Sequence, residues 1–329
     1  MRKGLWSLIC LSLFSLPLLA KPVVIAHRGA SGYLPEHTLE AVTLAYAMGA
    51  DYIEQDLVLS KDDQLMVLHD IHLDTVTDVA EKFPGRQRSD GRYYAIDFTL
   101  AELKTLTVSE RRNDKGEQVF ANRYRGHAQF QIPTFEEEIE LIQQLNRELG
   151  KQVGFYPEIK SPAWHRQQGK DISQLVLAML RKHGLDNEDK AIYVQCFDFT
   201  ELKRFRQQLG ARVKLIQLIG ENSWGESGDD HVRLRSVVGL EEIAQFAQGI
   251  GPWLPQLVDM QTLKPTELAT WAHDLGLKIH PYTFRLEQLP KGVSAEQSLD
   301  LLFKQVKIDG LFTDFTDVVV NYLRQQPEN

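Results

Sequence analysis

Three things are scarce in this chain, and each scarcity excludes a class of protein. Cysteine occurs twice in 329 residues, at Cys10 and Cys196. Cys10 lies in an amino-terminal apolar run expected to be removed, so a single thiol would remain and no intramolecular disulfide could form. A chain this long can be held by its core alone, and Cys196, in an apolar stretch, reads as a small core residue. Basic residues are also short: 37 Lys and Arg stand against 45 Asp and Glu, a net charge of −8. That balance argues against partners such as nucleic acid or an anionic membrane surface, which basic patches attract. Finally, long apolar runs are nearly absent. The one exception, Leu5 to Ala20, is broken by Pro17, preceded by Arg2 and Lys3, and followed by Lys21. It falls short of the ~20 apolar residues that a membrane span needs. The charged start, apolar centre and small residue at Ala20 read as a secretory signal peptide rather than an uncleaved anchor or a buried strand. The expected division is therefore a signal over residues 1–20 and a mature chain over 21–329, with Lys21 first and a net charge of −10.

What is abundant is alternation. Short apolar runs at Val23–Ala26, Tyr52–Val58, Gly154–Ile159, Ile192–Phe197, Val213–Ile219, Gly249–Trp253, Leu277–Tyr282 and Gly310–Thr313 alternate with amphipathic helical patterns. Thr134 and Glu137 form a capping-box signature before Ile139, Leu141, Ile142 and Leu145. Pro265 is expected at a first helical position ahead of Leu268 and Trp271, with Gly276 closing that helix. Eight strands alternating with helices predict an α/β fold, a (β/α)₈ TIM barrel. Two segments break the rhythm. Ser60 to Asp63 is a turn signal between Tyr52–Leu59 and Leu65–Leu68 with no helix between, which predicts an antiparallel hairpin on the second strand. Residues 71–132 are polar and too long for an ordinary βα loop, and are expected to form a small inserted subdomain at the barrel mouth. There is no internal repeat and no low-complexity tract.

Chemistry in such a barrel gathers at the carboxyl ends of the strands. There the chain places His27-Arg28-Gly29, Glu54-Gln55-Asp56, His69-Asp70 and Glu158-Ile159-Lys160. Glu54 and Asp56 are two apart on a strand and share a face. Two buried carboxylates side by side are costly unless a cation lies between them, and oxygen ligands suit Ca²⁺ or Mg²⁺ better than zinc. A turn near Asp62 pairs positions whose numbers sum to about 124, which sets His69 across from Glu54, Gln55 and Asp56. A single histidine is more often structural than catalytic. Two histidines, three carboxylates and an arginine at one mouth match what phosphodiester hydrolysis requires: cationic neutralisation of the phosphoryl oxygens, a base and an acid.

The motifs His27-Arg28-Gly29-Ala30-Ser31-Gly32, Pro35-Glu36-His37-Thr38, Glu54-x-Asp56 and His69-Asp70 closely resemble the glycerophosphodiester phosphodiesterase family. The resemblance continues through Pro157 to Lys160, Gln195 to Asp198, His280 to Thr283 and Asp309 to Asp314, and so spans nearly all of the expected mature chain. It implies a periplasmic enzyme that cleaves deacylated phospholipids such as glycerophosphocholine, glycerophosphoethanolamine and glycerophosphoglycerol to sn-glycerol 3-phosphate and an alcohol. It makes His27 and His69 the general acid–base pair, Glu54, Asp56 and Glu158 the metal ligands with Ca²⁺ favoured over Mg²⁺, Arg28 the phosphate clamp and Lys160 an added positive charge. It also suggests a cyclic glycerol phosphate intermediate and a homodimer, and gives Tyr282 and Arg285 no firm role. The head-group preference stays open. A phospholipid-cleaving relative would need a membrane-facing stretch, which is not evident. A glycosidase would have no use for His27, Arg28 and His69 together. A barrel retained only for binding would not need its acid–base and metal positions intact.

Overall fold

The computed structural model describes residues 21–113, 115–259 and 261–326; the expected signal over 1–20 lies outside the described residues. Eleven strands are found among them: β1 Val23–Ala26, β2 Tyr52–Leu59, β3 Leu65–Val67, β4 Gly154–Ile159, β5 Tyr193–Cys196, β6 Lys214–Ile219, β7 Gly249–Pro252, β8 Val258–Asp259, β9 Lys264–Pro265, β10 Lys278–Ile279 and β11 Gly310–Thr313. Eight of them neighbour one another in the order β10-β7-β6-β5-β4-β2-β1-β11, each pair parallel. The two ends of this sheet are joined by the N–H groups of Asp309, Phe312 and Phe284 donating to the carbonyls of Ile279, Pro281 and Phe312. The result is the parallel barrel that the sequence pattern predicts.

The expected bounds of β1, β4 and β11 coincide with those observed. β10 is shorter than the expected Leu277–Tyr282, although pairing with the β7 side persists through His280 N–H to Ile250 O and Tyr282 N–H to Pro252 O; Pro281, between them, has no N–H to give on its opposite side. Pro265 does not start a helix. It lies in β9, paired with Val258, and the helix begins at Leu268 with Glu267 before it. A proline is tolerated in so short an edge pair, which needs no donor from it. Gly276 does close that helix, its N–H reaching His273 O.

Outside the barrel, Thr134 and Glu137 form the expected capping box on the helix Phe135–Leu149. Thr38 likewise accepts from Ala41 N–H to start the helix Leu39–Met48. These helices and their successors bury one face each against the sheet, in a core that includes Val24, Ile53, Ile139, Val194 and Leu311. The barrel interior is filled by Ile25, Tyr156, Ile216 and Phe312, with the Tyr156 and Phe312 rings 4.9 Å apart. Tyr156 and Glu158 share a face of β4, so the ring packs the interior while the carboxylate stands nearer the strand's carboxyl end.

β2 and β3 form the predicted hairpin, with Leu57 opposite Val67, Val58 opposite Met66 and Leu59 opposite Leu65. Residues 71–132 then run through two four-residue helices, Val79–Lys82 and Leu100–Leu103. Leu73, Val79, Phe98, Leu106 and Phe130 from this stretch pack with Val58, Met66 and Leu68 in a hydrophobic cluster separate from the main core. That packing fastens the stretch to the outer side of the hairpin and suspends its charged residues beside the carboxyl ends of β1 and β2. No helix among the described residues is long and apolar enough to cross a membrane.

Candidate active site

The first strand delivers His27 on a tight turn. Its N–H still donates to Thr313 O at 3.0 Å, extending the β1–β11 ladder. Arg28 and Gly29 then take left-handed conformations, with φ of 59° and 79°. At Gly29 only glycine fits, because a Cβ would lie 2.8 Å from the Ala41 carbonyl carbon. The turn aims the Arg28 N–H at Glu54 Oε2, 2.7 Å away, and locks His27 against Asp314. His27 Nδ1 donates to Asp314 Oδ1 at 2.6 Å. The other oxygen of Asp314 accepts from Arg123 at 2.6 Å and Arg285 at 2.7 Å.

His69 arrives from the hairpin. Leu68 N–H donates to Asp56 O at 2.9 Å, which continues the ladder one step past its last regular pair and puts His69 beside the acids of β2. His69 Nδ1 donates to Asp70 Oδ1 at 2.6 Å. A relay of charged contacts then leads back to the first strand: Asp70 accepts from Arg111, Arg111 donates to Glu36, and Glu36 accepts from Arg28. Both imidazoles therefore present the same arrangement, Nδ1 tied to a carboxylate and Nε2 making no hydrogen bond among the described residues.

Glu54, Asp56 and Glu158 are all buried, and Asp56 is in register with Glu158 on β4. Glu54, Asp56 and His37 present ligand atoms within 4.8 Å of one another. His37 Nε2, however, lies 2.7 Å from Asp56 Oδ2, so it donates to that carboxylate and orients it. The Glu158 carboxylate lies outside this set and pairs with Lys160 at 2.8 Å. Lys160 is also 3.9 Å from Asp56 and 4.0 Å from Glu226. Asp56 Oδ1 is buried without a hydrogen-bond donor. An orphaned carboxylate oxygen among further buried carboxylates fits a hard divalent cation with oxygen ligands.

Charge and burial polarise the site. Burial, reinforced by Asp56 and Glu158, pushes the Glu54 carboxyl well above its ordinary range. Burial likewise raises Glu158 to about 8. Asp56 is held well below its ordinary value, because His69, Lys160 and His37 outweigh its burial. Burial and the Arg28 charge lower His27 to about 3, and the same two causes lower His69. Both imidazoles are therefore neutral near pH 7. A cavity of about 240 Å³ opens over them, lined by His27, Arg28, Glu54, His69 and Glu158.

The candidate residues read from the sequence thus converge on this cavity and the carboxylates beneath it. The reading gave no role to the partners that hold them: His37, Glu36, Asp70, Asp314, Arg111 and Arg123. Glu36, His37, Asp70 and Asp314 stood inside recognised motifs, but the contacts of Glu36, His37 and Asp314 are made between distant segments. Arg111 and Arg123 carried no local signal at all.

Comparison with known proteins gives a consistent picture. The model of the glycerophosphoryl diester phosphodiesterase family matches residues 27–318. A glycerophosphodiester phosphodiesterase of Haemophilus influenzae is 43% identical over 92% of this chain and 90% of its own. One from Treponema pallidum is 38% identical over 92% and 91%. Among solved structures, a protein from Silicibacter pomeroyi shares the fold with a TM-score of 0.70 at 23% identity, covering 93% of this chain and 94% of its own. An Oleispira antarctica phosphodiesterase, solved in complex with the product sn-glycerol-3-phosphate, aligns with a TM-score of 0.62 at 21% identity over 93% and 98%.

Proposed function

The chain belongs to the glycerophosphoryl diester phosphodiesterase family, and from that premise we propose that it cleaves glycerophosphodiesters to sn-glycerol 3-phosphate and an alcohol, with His27 and His69 as the acid–base pair. The activity that accompanies membership is phosphodiesterase action on glycerophosphodiesters. The finer reading rests on one observation: two neutral imidazoles, each fixed at Nδ1 by a carboxylate and free at Nε2, line one cavity with Arg28.

In this reading the phosphodiester sits against Arg28, which neutralises part of its charge and fixes its orientation. Burial and the Arg28 charge depress both imidazoles; the substrate's negative charge offsets the Arg28 part, which favours a proton on one of them in the complex. The neutral histidine takes the proton of the substrate's own glycerol hydroxyl as that oxygen attacks phosphorus and the new P–O bond forms. The protonated one donates to the departing alkoxide as the old P–O bond breaks; water then adds to the resulting cyclic phosphate, the two histidines exchanging roles, and opens it to sn-glycerol 3-phosphate. Asp314 and Asp70 hold the tautomers that leave each Nε2 facing the reaction. Glu54, Asp56 and Glu158 are the residues that would hold a divalent cation, Ca²⁺ ahead of Mg²⁺, which when bound would stabilise negative charge on the phosphoryl oxygens. Lys160 sets the charge balance of those carboxylates. We also propose export to the periplasm, tested by amino-terminal sequencing that should read Lys21-Pro22-Val23.

The central test is substitution of each histidine. His27→Ala and His69→Ala should each lower turnover by about two to four orders of magnitude with little effect on cation affinity. A glycerophosphodiester with a nitrophenolate leaving group departs without protonation, so it should rescue only the variant that lacks the acid. Near-normal turnover in both variants, or loss of the cation in both, would remove the acid–base assignment.

A further inference from the structure

The cavity has two chemically different ends. His27, Arg28, Glu54 and Glu158 stand on or just after β1, β2 and β4, whereas Phe197, Trp224, Trp253, Tyr282 and Glu226 follow β5, β6, β7 and β10. The second end is a wall of rings. Trp224 and Trp253 meet edge to face, with centroids 5.2 Å apart at 71°. Phe197 and Tyr282 do the same at 5.9 Å and 87°. The two indoles remain 41% and 36% exposed, a large apolar surface to leave open beside charged groups such as Arg28, Glu158 and Arg285.

The seat of these rings is built in. A Cβ on Gly220 would lie 2.8 Å from the Trp224 indole and 3.2 Å from the Phe197 ring, so the Trp224 position depends on a glycine beneath it. The Tyr282 hydroxyl donates to Ile219 O at 2.9 Å, which leaves its ring as what it offers a ligand. Among the rings stands Glu226, whose carboxylate accepts no hydrogen bond among the described residues. Its nearest cation, Lys160 at 4.0 Å, is already paired with Glu158 at 2.8 Å.

Aromatic faces beside a carboxylate that accepts no hydrogen bond attract a weakly hydrated cation. They have few hydrogen-bond partners to offer the hydroxyls of a polyol alcohol. We propose that this end of the cavity is a subsite for a quaternary ammonium group, so that among glycerophosphodiesters the choline ester is preferred. The inference rests on the glycerophosphodiesterase reading of the site: with the phosphate held at Arg28, the leaving alcohol projects toward the rings.

The test compares glycerophosphocholine with its 3,3-dimethylbutyl ester, which has the same shape but no charge. The wild-type enzyme should favour the choline ester by about five- to thirty-fold in kcat/KM, as expected for a partly desolvated cation on aromatic faces. Trp224→Ala and Glu226→Gln should each compress that ratio toward one. Tetramethylammonium chloride should inhibit competitively, with a weaker inhibition constant in both variants. A wild-type ratio near one, or a ratio that neither variant changes, overturns the subsite. Absence of turnover on both esters and on glycerophosphoglycerol would instead overturn the reading of the site on which the subsite rests.

Discussion

Asp314 is the residue whose removal should be most informative, because three cationic or potentially cationic groups converge on one buried carboxylate. His27 Nδ1 lies at 2.6 Å, Arg123 at 2.6 Å and Arg285 at 2.7 Å, and the Asp314 side chain is 1% exposed. Asp314→Asn keeps the shape, but its amide oxygen has no charge and its NH₂ group faces donors. Removing one partner of a buried ion pair costs about 3–5 kcal/mol. Arg123 keeps Glu287 at 2.9 Å, so the lower end, about 3 kcal/mol, is expected. In a chain of this size that corresponds to a fall in melting temperature of about 4–6 °C. The catalytic effect should be larger than the stability effect. Without the carboxylate, Nδ1 no longer holds the proton that leaves Nε2 as the acceptor, and kcat should drop about 10²–10⁴-fold. Initial rates on glycerophosphocholine with saturating cation, together with a calorimetric melt, measure both. Cation affinity serves as the control, since Asp314 is not among the proposed ligands. A variant within ten-fold of wild-type kcat and with an unchanged melting temperature would show that Asp314 does not align His27.

Three further outcomes are expected. A strong chelator should abolish turnover and Ca²⁺ should restore it, while Glu54→Gln should remove cation binding yet leave the metal-free protein at least as stable, because burial and Asp56 already disfavour the Glu54 carboxylate; a destabilised but cation-binding variant would contradict this. Burial raises Glu110 from 4.5 to about 7, so its contribution to stability is full below about pH 4.5 and is lost as pH rises through 7. Glu110→Gln should flatten the denaturation midpoint across that window, by about 1–2 kcal/mol after solvent screening, and an unaltered pH profile would refute the assignment. Gly29→Ala forces a Cβ into the Ala41 backbone at positive φ, so it should cost about 1–3 kcal/mol of stability and disturb both His27 and the Arg28 N–H bond to Glu54. A variant with normal melting and normal turnover would show that the turn tolerates what its geometry forbids.

Much of this molecule is written locally. Apolar runs of strand length, separated by helix-capping signals, determine a parallel β/α winding, because a fully buried strand is hydrophobic on both faces. Glu54 and Asp56 share a face by the two-residue period alone. The turn at Asp62 fixes a register sum near 124, and the observed pair Leu57–Val67 obeys it. Pro265 shows where such local rules mislead: a proline suits a helix start and a short edge strand equally, and only the pairing with Val258 decides between them. The same limit applies at the site. The sequence by itself determined which groups can do chemistry and on which strand ends they stand. It did not determine what holds them, because Asp314 reaches His27 across 287 positions and Arg111 reaches Glu36 across 75. Such pairings form only when the barrel closes and the 71–132 stretch docks beside it. The cost of leaving a buried charge without a partner then selects each contact, and that cost does not exist until burial does.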